Sequence, residues 1–382
     1  MADSSYLNWP FFEASHRAIA GGAREWAAAY AAPSGSVDDQ ARAWVRDLGT
    51  AGWLRYVVPA QYGGAGDPFD VRAICLVREQ LAYQSGLGDF AFAMQGLGTG
   101  PISLFGTEQQ KQLYLPAVGR GEKIAAFAIS EKEAGSDLAS MRTLAWRDGD
   151  HWVLHGEKAW ISNAGIADHY VVFSRVPELG EKAYGAFIVD ANTAGLRVAE
   201  RVEVIAPHVL GTIALENCRL PESAVIGDPA SGLKVALATL DVFRTSVAAA
   251  ALGFARRGLD EAVKFTIARQ QFGQMLASFQ LTQARLADMA TAIDASALLV
   301  YRAAWTKDSG TARITREAAM AKLFSTESAQ RVIDDAVQLH GGRGVVSGEV
   351  VERLYREIRA LRIYEGTSEI QKIVIAHHVV GQ

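Results

Sequence analysis

The spacing of apolar positions changes twice along the chain. Up to about residue 120, apolar residues recur three and four apart, which predicts helices at 14–30, 37–49 and 69–83. A capping box, Thr107-Glu108-Gln109-Gln110, opens another that reaches about Leu115. Pro33-Ser34-Gly35-Ser36 and the glycine-rich stretch 58–66 interrupt these runs as turns. From about 121, short apolar runs at 124–129, 143–146, 151–155, 170–173, 185–189 and 196–198 alternate with turn signals. Asp148-Gly149, between two of these runs, marks a hairpin. From 231 the helical period returns in long segments at 234–268, 280–307 and 313–340, then at 349–362 and 368–379. The expectation is an α+β fold. It has an N-terminal helical domain at 1–120, a β-rich middle domain at 121–230 and a C-terminal helical bundle at 231–382. Helices and strands are segregated instead of alternating, which argues against a Rossmann fold.

Composition narrows the function classes. With 382 residues, 49% of them hydrophobic, the chain can bury two or three cores. A net charge of −4 without a basic block argues against nucleic-acid binding. Cys75 and Cys218 stand in unrelated stretches, so neither a metal site nor a disulfide framework is expected, which fits a reducing cytoplasm. The first residues carry no cationic, apolar leader pattern. The most apolar run, 235–254, contains Asp241 and Arg244 and reads as a buried helix, not a membrane span.

Candidate chemistry concentrates at one connection. Residues 361–371 join two helical patterns, and the break falls at Glu365-Gly366, with Thr367 and Ser368 as N-cap candidates. A carboxylate there can act as a base if burial raises its pKa from the usual value of about 4.3. From the local sequence alone, Glu365 reads first as a cap of the next helix. Four other stretches have both a bland and a functional reading. Residues 127–137 end a strand in a loop of glycine and hydroxyls, either a surface turn or a polar ligand contact. Trp160 and Ser162 share one strand face, offering a flat ring a stacking surface and a hydrogen bond, or filling the domain's own core. Arg269, ahead of Gln271, Phe272 and Gly273, is either a charge at a glycine-capped helix end or a phosphate contact. Gln338 to Gly344, with Gly341, Gly342 and Gly344, is a hinge or a close backbone approach to a ligand.

The segment "IYEGTSEIQ" at 363–371 resembles the signature of the acyl-CoA dehydrogenase family, and the other four stretches resemble that family's motifs in the same order. The resemblance spans nearly the whole chain and is specific to the family, not to a substrate. It implies an FAD enzyme that introduces an α,β double bond into an acyl-CoA thioester. Glu365 takes the α-proton, and the flavin N5 accepts the β-hydrogen as hydride. Carried over by residue match, Phe127, Ile129 and Ser130, together with Trp160 and Ser162, lie against the isoalloxazine. Arg269, Gln271, Phe272, Gln338 and Gly342 meet FAD across a subunit interface, with Thr367 and Glu369 as further cofactor contacts. Ser136, Asp241, Arg244, Tyr364 and Gly366 fall near the substrate. Ser130 replaces the commoner threonine, and Lys132 stands where proline is usual, which alters the stiffness of that loop. An electron-transferring flavoprotein is the implied electron acceptor. FAD held between subunits implies a homo-oligomer, commonly a tetramer in this family.

The acyl group is only faintly legible. No arginine occurs between Arg78 and Arg120, where the glutaryl branch keeps one, so a monocarboxylic acyl group is expected. Gly86, Gly88, Gly96, Gly98 and Gly100 either leave room for a short or medium, branched or cyclic group or are loop glycines. Asp89 is either a turn or cap residue or a second acid/base near the substrate, as in ring-oxidising relatives. Two rival readings are a same-fold oxidase that uses O₂ and a flavin- or acyl-CoA-binding protein without turnover.

Overall fold

A computed structural model describes residues 3–31 and 33–381. The chain forms two compact units. The first comprises the residues up to Tyr30, Val71–Asp89 and those from Arg244 onward. The second comprises Ala31–Asp70 and Phe90–Phe243. Both cuts of the second unit's long segment fall inside helices, so compactness divides the chain differently from sequence texture.

In the first unit α1 (Ala14–Ala29) packs on α3 (Val71–Gln84), and α3 on α7 (Gln280–Asp308). α7 packs in turn on α8 (Thr315–His340), which also carries α9 (Val350–Leu361) and α10 (Ser368–Val380). α8 buries a stripe of small residues, Ala318, Ala321, Ser325 and Ala329, which lets its neighbours approach closely. The core around α3 includes a charge, Glu79. Tyr6 Oη (2.8 Å) and Arg256 Nε (2.9 Å) meet its carboxylate, and Tyr301 donates to it as well. A buried carboxylate is tolerable because its lone pairs are filled in this way.

α6 (Gly232–Ala268) is 37 residues long and apolar enough to cross a membrane, yet Val247 to Leu252 are all buried within the protein. That is the buried helix the sequence predicts. The helices at 14–30, 37–49, 69–83 and beyond Thr107 appear as α1, α2 (Val37–Thr50), α3 and α5 (Glu108–Gly119). Ser36 caps α2 through the Asp39 N–H, and Thr107 and Gln110 close the expected capping box at α5.

The glycine-rich stretch after α3 is neither a loop nor open space. It forms α4 (Gly86–Phe105), a helix despite its glycines and Pro101. Ser85 Oγ caps it by accepting from Gly88 N. The missing side chains are filled by neighbours. In the second unit a Cβ on Gly96 would lie 2.3 Å from the Phe243 ring, one on Gly98 2.6 Å from Ala125, and one on Gly100 2.7 Å from Thr239. In the first unit a Cβ on Gly86 would lie 2.2 Å from the Glu357 carboxyl. Gly86, Gly96, Gly98 and Gly100 serve helix packing, being neither loop glycines nor open space for an acyl group.

The second unit is built on a seven-stranded mixed sheet. Its strands are β1 (Ala125–Ala128), β2 (Leu144–Asp148), β3 (His151–Ser162), β4 (His169–Arg175), β5 (Tyr184–Asp190), β6 (Leu196–Arg201) and β7 (Leu210–Pro221). They run in the order β1-β4-β2-β3-β7-β6, with β5 paired to β4. Asp148 pairs His151 across the predicted hairpin. β7 has no counterpart among the predicted strands. Residues 211–215 are buried on both faces, so the period-two signal is absent there. In the first unit a small hairpin of β8 (Gln270–Gln271) and β9 (Gln274–Met275) follows α6.

Candidate active site

Glu365 sits between α9 and α10, and the local chain explains how it is displayed. α9 ends at Leu361, and Thr367 Oγ1 caps α10 by accepting from Ile370 N at 3.4 Å. The two residues between that must reverse the chain both lie in the left-handed region, Glu365 at φ 53° and Gly366 at φ 90°. Glycine takes that conformation freely, whereas glutamate pays about 1–2 kcal/mol for it. A side chain at 366 would also meet Gln371 Nε2 at 2.6 Å. Glu365 therefore does not cap the next helix; Thr367 does.

The strained turn is held through its carbonyls. Arg244 Nε donates to Glu365 O at 3.0 Å, and Lys322 Nζ donates to Gly366 O at 2.7 Å. Gln371 Nε2 donates to both, at 3.3 and 3.0 Å. The N–H groups of Glu365 and Gly366 find no acceptor among the described residues. Oε2 of Glu365 is buried without a partner, the only such carboxylate oxygen among them. Burial raises the pKa of this carboxyl, against the charges of Arg78, Lys322 and Arg244, while Asp89 adds to the rise. The result is a desolvated carboxylate beside unpaired N–H donors, an arrangement that can remove a proton from carbon next to a carbonyl.

Asp89 is neither a cap nor a free acid. It lies in the first turn of α4, and its two oxygens accept from Arg78 Nε and Nη2, each at 2.8 Å. Arg78 Nη1 donates to Ser246 Oγ at 3.0 Å, and the Arg78 side chain is 2% exposed. An ion pair this well formed does not offer its carboxylate as a second acid/base. Sequence reasoning passed over Arg78 and Lys322, both fully buried cations on apolar helices. The only available signal was a lone charge within an otherwise apolar face.

The first unit gathers further expected residues elsewhere. Tyr364 precedes Glu365 and is partly exposed. Arg269 and Gln271 line a cleft of about 660 Å³ with His340, Gly341, Gly342 and Arg343. α6 ends at Ala268, so Arg269 lies beyond the helix, and Gly273 belongs to the β8–β9 turn and caps no helix. Two guanidinium groups and side-chain-free backbone at 341–342 suit an anionic ligand such as a phosphate. Gln338 is exposed on the last turn of α8 and lies outside that lining, and Glu369 is exposed on the first turn of α10. Phe272, 93% exposed at φ 52°, stands out from the hairpin tip.

The second unit supplies a different surface. Phe127 is buried at the end of β1, and Ile129 and Ser130 emerge half-buried beyond it. Trp160 and Ser162 lie on β3, where the register with β7 is broken between Lys158 and Ile161. Trp160 sits at φ 55° and is 50% exposed, so it does not fill the domain's core. An indole held out on strained backbone suits a planar ligand. Buried charge holds this wall in shape. Lys158 Nζ donates to Ile129 O at 3.1 Å and to Glu131 Oε1 at 2.9 Å. Glu131 also accepts from the N–H of Arg142 and from the N–H and hydroxyl of Thr143. Ser136 is exposed on the following loop, and Asp241 is half-buried on α6. Lys132 is exposed, 3.7 Å from both Glu157 and Glu200.

Each unit therefore offers a feature that suits part of FAD: an exposed aromatic wall in the second, and a cationic, glycine-lined cleft in the first. Comparison with known proteins agrees. Three family models match in order: acyl-CoA dehydrogenase N-terminal domain at 13–122, middle domain at 126–218 and C-terminal domain at 230–380. The chain is 38% identical to the 3-(aryl)acrylate reductase of Clostridium sporogenes over 97% of its length and 100% of the relative's. It superposes with a TM-score of 0.90 on butyryl-CoA dehydrogenase from Megasphaera elsdenii, at 31% identity, covering 97% and 99% of the two chains. It matches an acyl-CoA dehydrogenase complexed with FAD from Bacillus anthracis equally well, at 28% identity, covering 100% of this chain and 71% of that one.

Proposed function

The chain belongs to the acyl-CoA dehydrogenase family, an oxidoreductase family that uses FAD, and from that premise we propose that it dehydrogenates an acyl-CoA between Cα and Cβ with Glu365 as the base. The observation that carries this reading is the unpartnered, buried Oε2 of Glu365 on a turn braced from three sides. When bound, FAD supplies the acceptor for the β-hydrogen and its electron pair. Glu365 takes the α-proton, so that one proton and one hydrogen with its electron pair leave the acyl chain as the double bond forms. Burial makes Glu365 a stronger base than a solvated carboxylate. Its N–H, left without an acceptor, would bind the thioester oxygen as negative charge develops there.

Phe127, Ile129, Ser130, Trp160 and Ser162 would hold the flavin ring. Arg269, Gln271, Phe272, Gln338 and Gly342 would hold the pyrophosphate end from a second copy, with Thr367 and Glu369 beside the base. Ser136, Asp241, Tyr364 and Gly366 would meet the substrate. Arg244 has a nearer task, since its Nε is committed to the Glu365 carbonyl. The acyl group is monocarboxylic on this reading, because the buried Arg78 is committed to Asp89 and Ser246 and is not free to bind a distal carboxylate. A homotetramer in the cytoplasm that passes electrons to an electron-transferring flavoprotein completes the proposal.

The test is anaerobic titration of the holoenzyme with acyl-CoAs from butyryl to palmitoyl, together with isobutyryl, glutaryl and cyclohexanecarbonyl. One monocarboxylic member bleaches the flavin, and Glu365→Gln slows that bleaching by about 10²–10⁴. Bleaching at the wild-type rate in Glu365→Gln would remove the base assignment. A second reading runs the same chemistry in reverse, favoured by the full-length likeness to 3-(aryl)acrylate reductase. Reoxidation of the reduced enzyme by an arylacrylate, free or as its CoA ester, distinguishes it.

A further inference from the structure

Lys322 lies in the N-terminal third of α8 among Ala318, Ala319, Ala321 and Ser325, with its side chain fully buried. Burying an ammonium costs several kcal/mol unless it is paired or hydrogen-bonded. Its hydrogen bond runs to the backbone of the turn that carries Glu365, through the Gly366 carbonyl at 2.7 Å. That turn places two consecutive residues in the left-handed region, one of them not glycine, so it needs support from outside its own sequence.

Resting on Glu365 as the base, we propose that Lys322 is a positioning residue for the reaction: its buried ammonium fixes the Gly366 carbonyl, and its charge acts on the Glu365 carboxylate. One side chain then governs both where the base stands and how firmly it holds its proton. Gln371 shares the Gly366 carbonyl with Lys322 but carries no charge, and Arg244 Nε donates to the Glu365 carbonyl.

The charged groups acting on Glu365 come from four helices. Arg78 of α3, Arg244 of α6 and Lys322 of α8 favour the ionised carboxylate, and Asp89 of α4 opposes it. Lys322 in turn feels Glu365, Glu327 and Glu369, which favour its charge, and Arg244, which does not. Burial brings the pKa of Lys322 down to about 8, so at neutral pH it remains cationic. Taking that cation away leaves Glu365 facing two cations and one anion in place of three and one. The carboxyl then becomes harder to ionise, and the acid limb of the rate profile, which reports its deprotonation, moves to higher pH.

The experiment compares Lys322→Met and Lys322→Gln holoenzymes with wild type, using the acyl-CoA that bleaches the wild-type flavin. In Lys322→Met kcat at pH 7 falls about a hundredfold as the base loses its placement, KM stays within about threefold, and the acid limb of kcat rises by about one pH unit. Lys322→Gln, whose amide can still donate to the Gly366 carbonyl, shows the same rise in the acid limb with a smaller loss of kcat. If Lys322→Met does not fold, Lys322→Gln carries the test through the acid limb. A lowered melting temperature with wild-type kcat and an unmoved acid limb would make Lys322 a packing residue and overturn the proposal. Glu365→Gln separates the two readings. If it is inactive while both Lys322 variants behave as wild type, only Lys322 falls, and if it turns over normally, the base assignment falls.

Discussion

The buried Arg78–Asp89 pair makes a quantitative prediction. Both side chains are almost fully enclosed, 2% and 4% exposed, and two 2.8 Å hydrogen bonds join them in a fork. Asp89→Asn removes the countercharge and one of the two good acceptors but leaves the guanidinium in place. Stripping one partner from a buried pair costs about 3–5 kcal/mol, because the remaining charge is then uncompensated. The retained amide oxygen and the 3.0 Å bond to Ser246 put the expected loss near the lower end, about 3 kcal/mol. Arg78→Met leaves Asp89 as the buried orphan and costs a similar amount. The double variant, Arg78→Met with Asp89→Asn, buries no net charge and is less destabilised than the sum of the two by about 2–3 kcal/mol. The assay is urea unfolding of the four proteins followed by circular dichroism, with midpoints read at constant m. If Asp89→Asn costs less than about 1 kcal/mol and the two changes add, the electrostatic account of this pair is wrong. Turnover carries the second half of the prediction. Asp89→Asn removes the one anion that raises the pKa of Glu365, so the acid limb of kcat moves to lower pH with turnover within about tenfold of wild type. A loss of several orders of magnitude in a fully stable Asp89→Asn would instead restore Asp89 as an acid/base.

Two further predictions concern the sheet unit. His169 on β4 is fully buried, neither ring nitrogen has a partner, and burial brings its pKa down to about 3. Its folded pKa lies below the unfolded value of about 6.5, so the unfolded chain binds the extra proton and stability falls as pH drops from about 6.5 towards 3. The term is about 2 kcal/mol at pH 5, so wild type should lose that much more than His169→Phe between pH 7 and pH 5 in urea unfolding, and equal losses would refute it. Lys158 ties Glu131 to the Ile129 carbonyl, so Lys158→Met should weaken FAD binding at least about tenfold in a fluorescence titration and lower stability by about 3–5 kcal/mol. Unchanged FAD affinity would show that the pair supports only the fold.

The sequence by itself determined the architecture and singled out Glu365 as the candidate base. Long stretches with one apolar face, as in α7 and α8, and the capping box at Thr107 are local signals that survive folding. The Glu365-Gly366 break was equally visible, because a glycine between two helical patterns marks a turn that enters the left-handed region. Strand β7 was not legible, since a strand buried on both faces shows no alternation. Neither was α4, whose glycines read as breakers until Phe243, Ala125, Thr239 and Glu357 are seen filling the space beside them. The environment of Glu365 was decided by tertiary structure alone. Arg78, Asp89, Arg244 and Lys322 come from four helices, up to 244 positions apart in sequence (78 to 322), and no local spacing connects them to Glu365. The strength of a carboxylate depends on the water it has lost and the charges brought within a few ångströms, and both are properties of the folded chain.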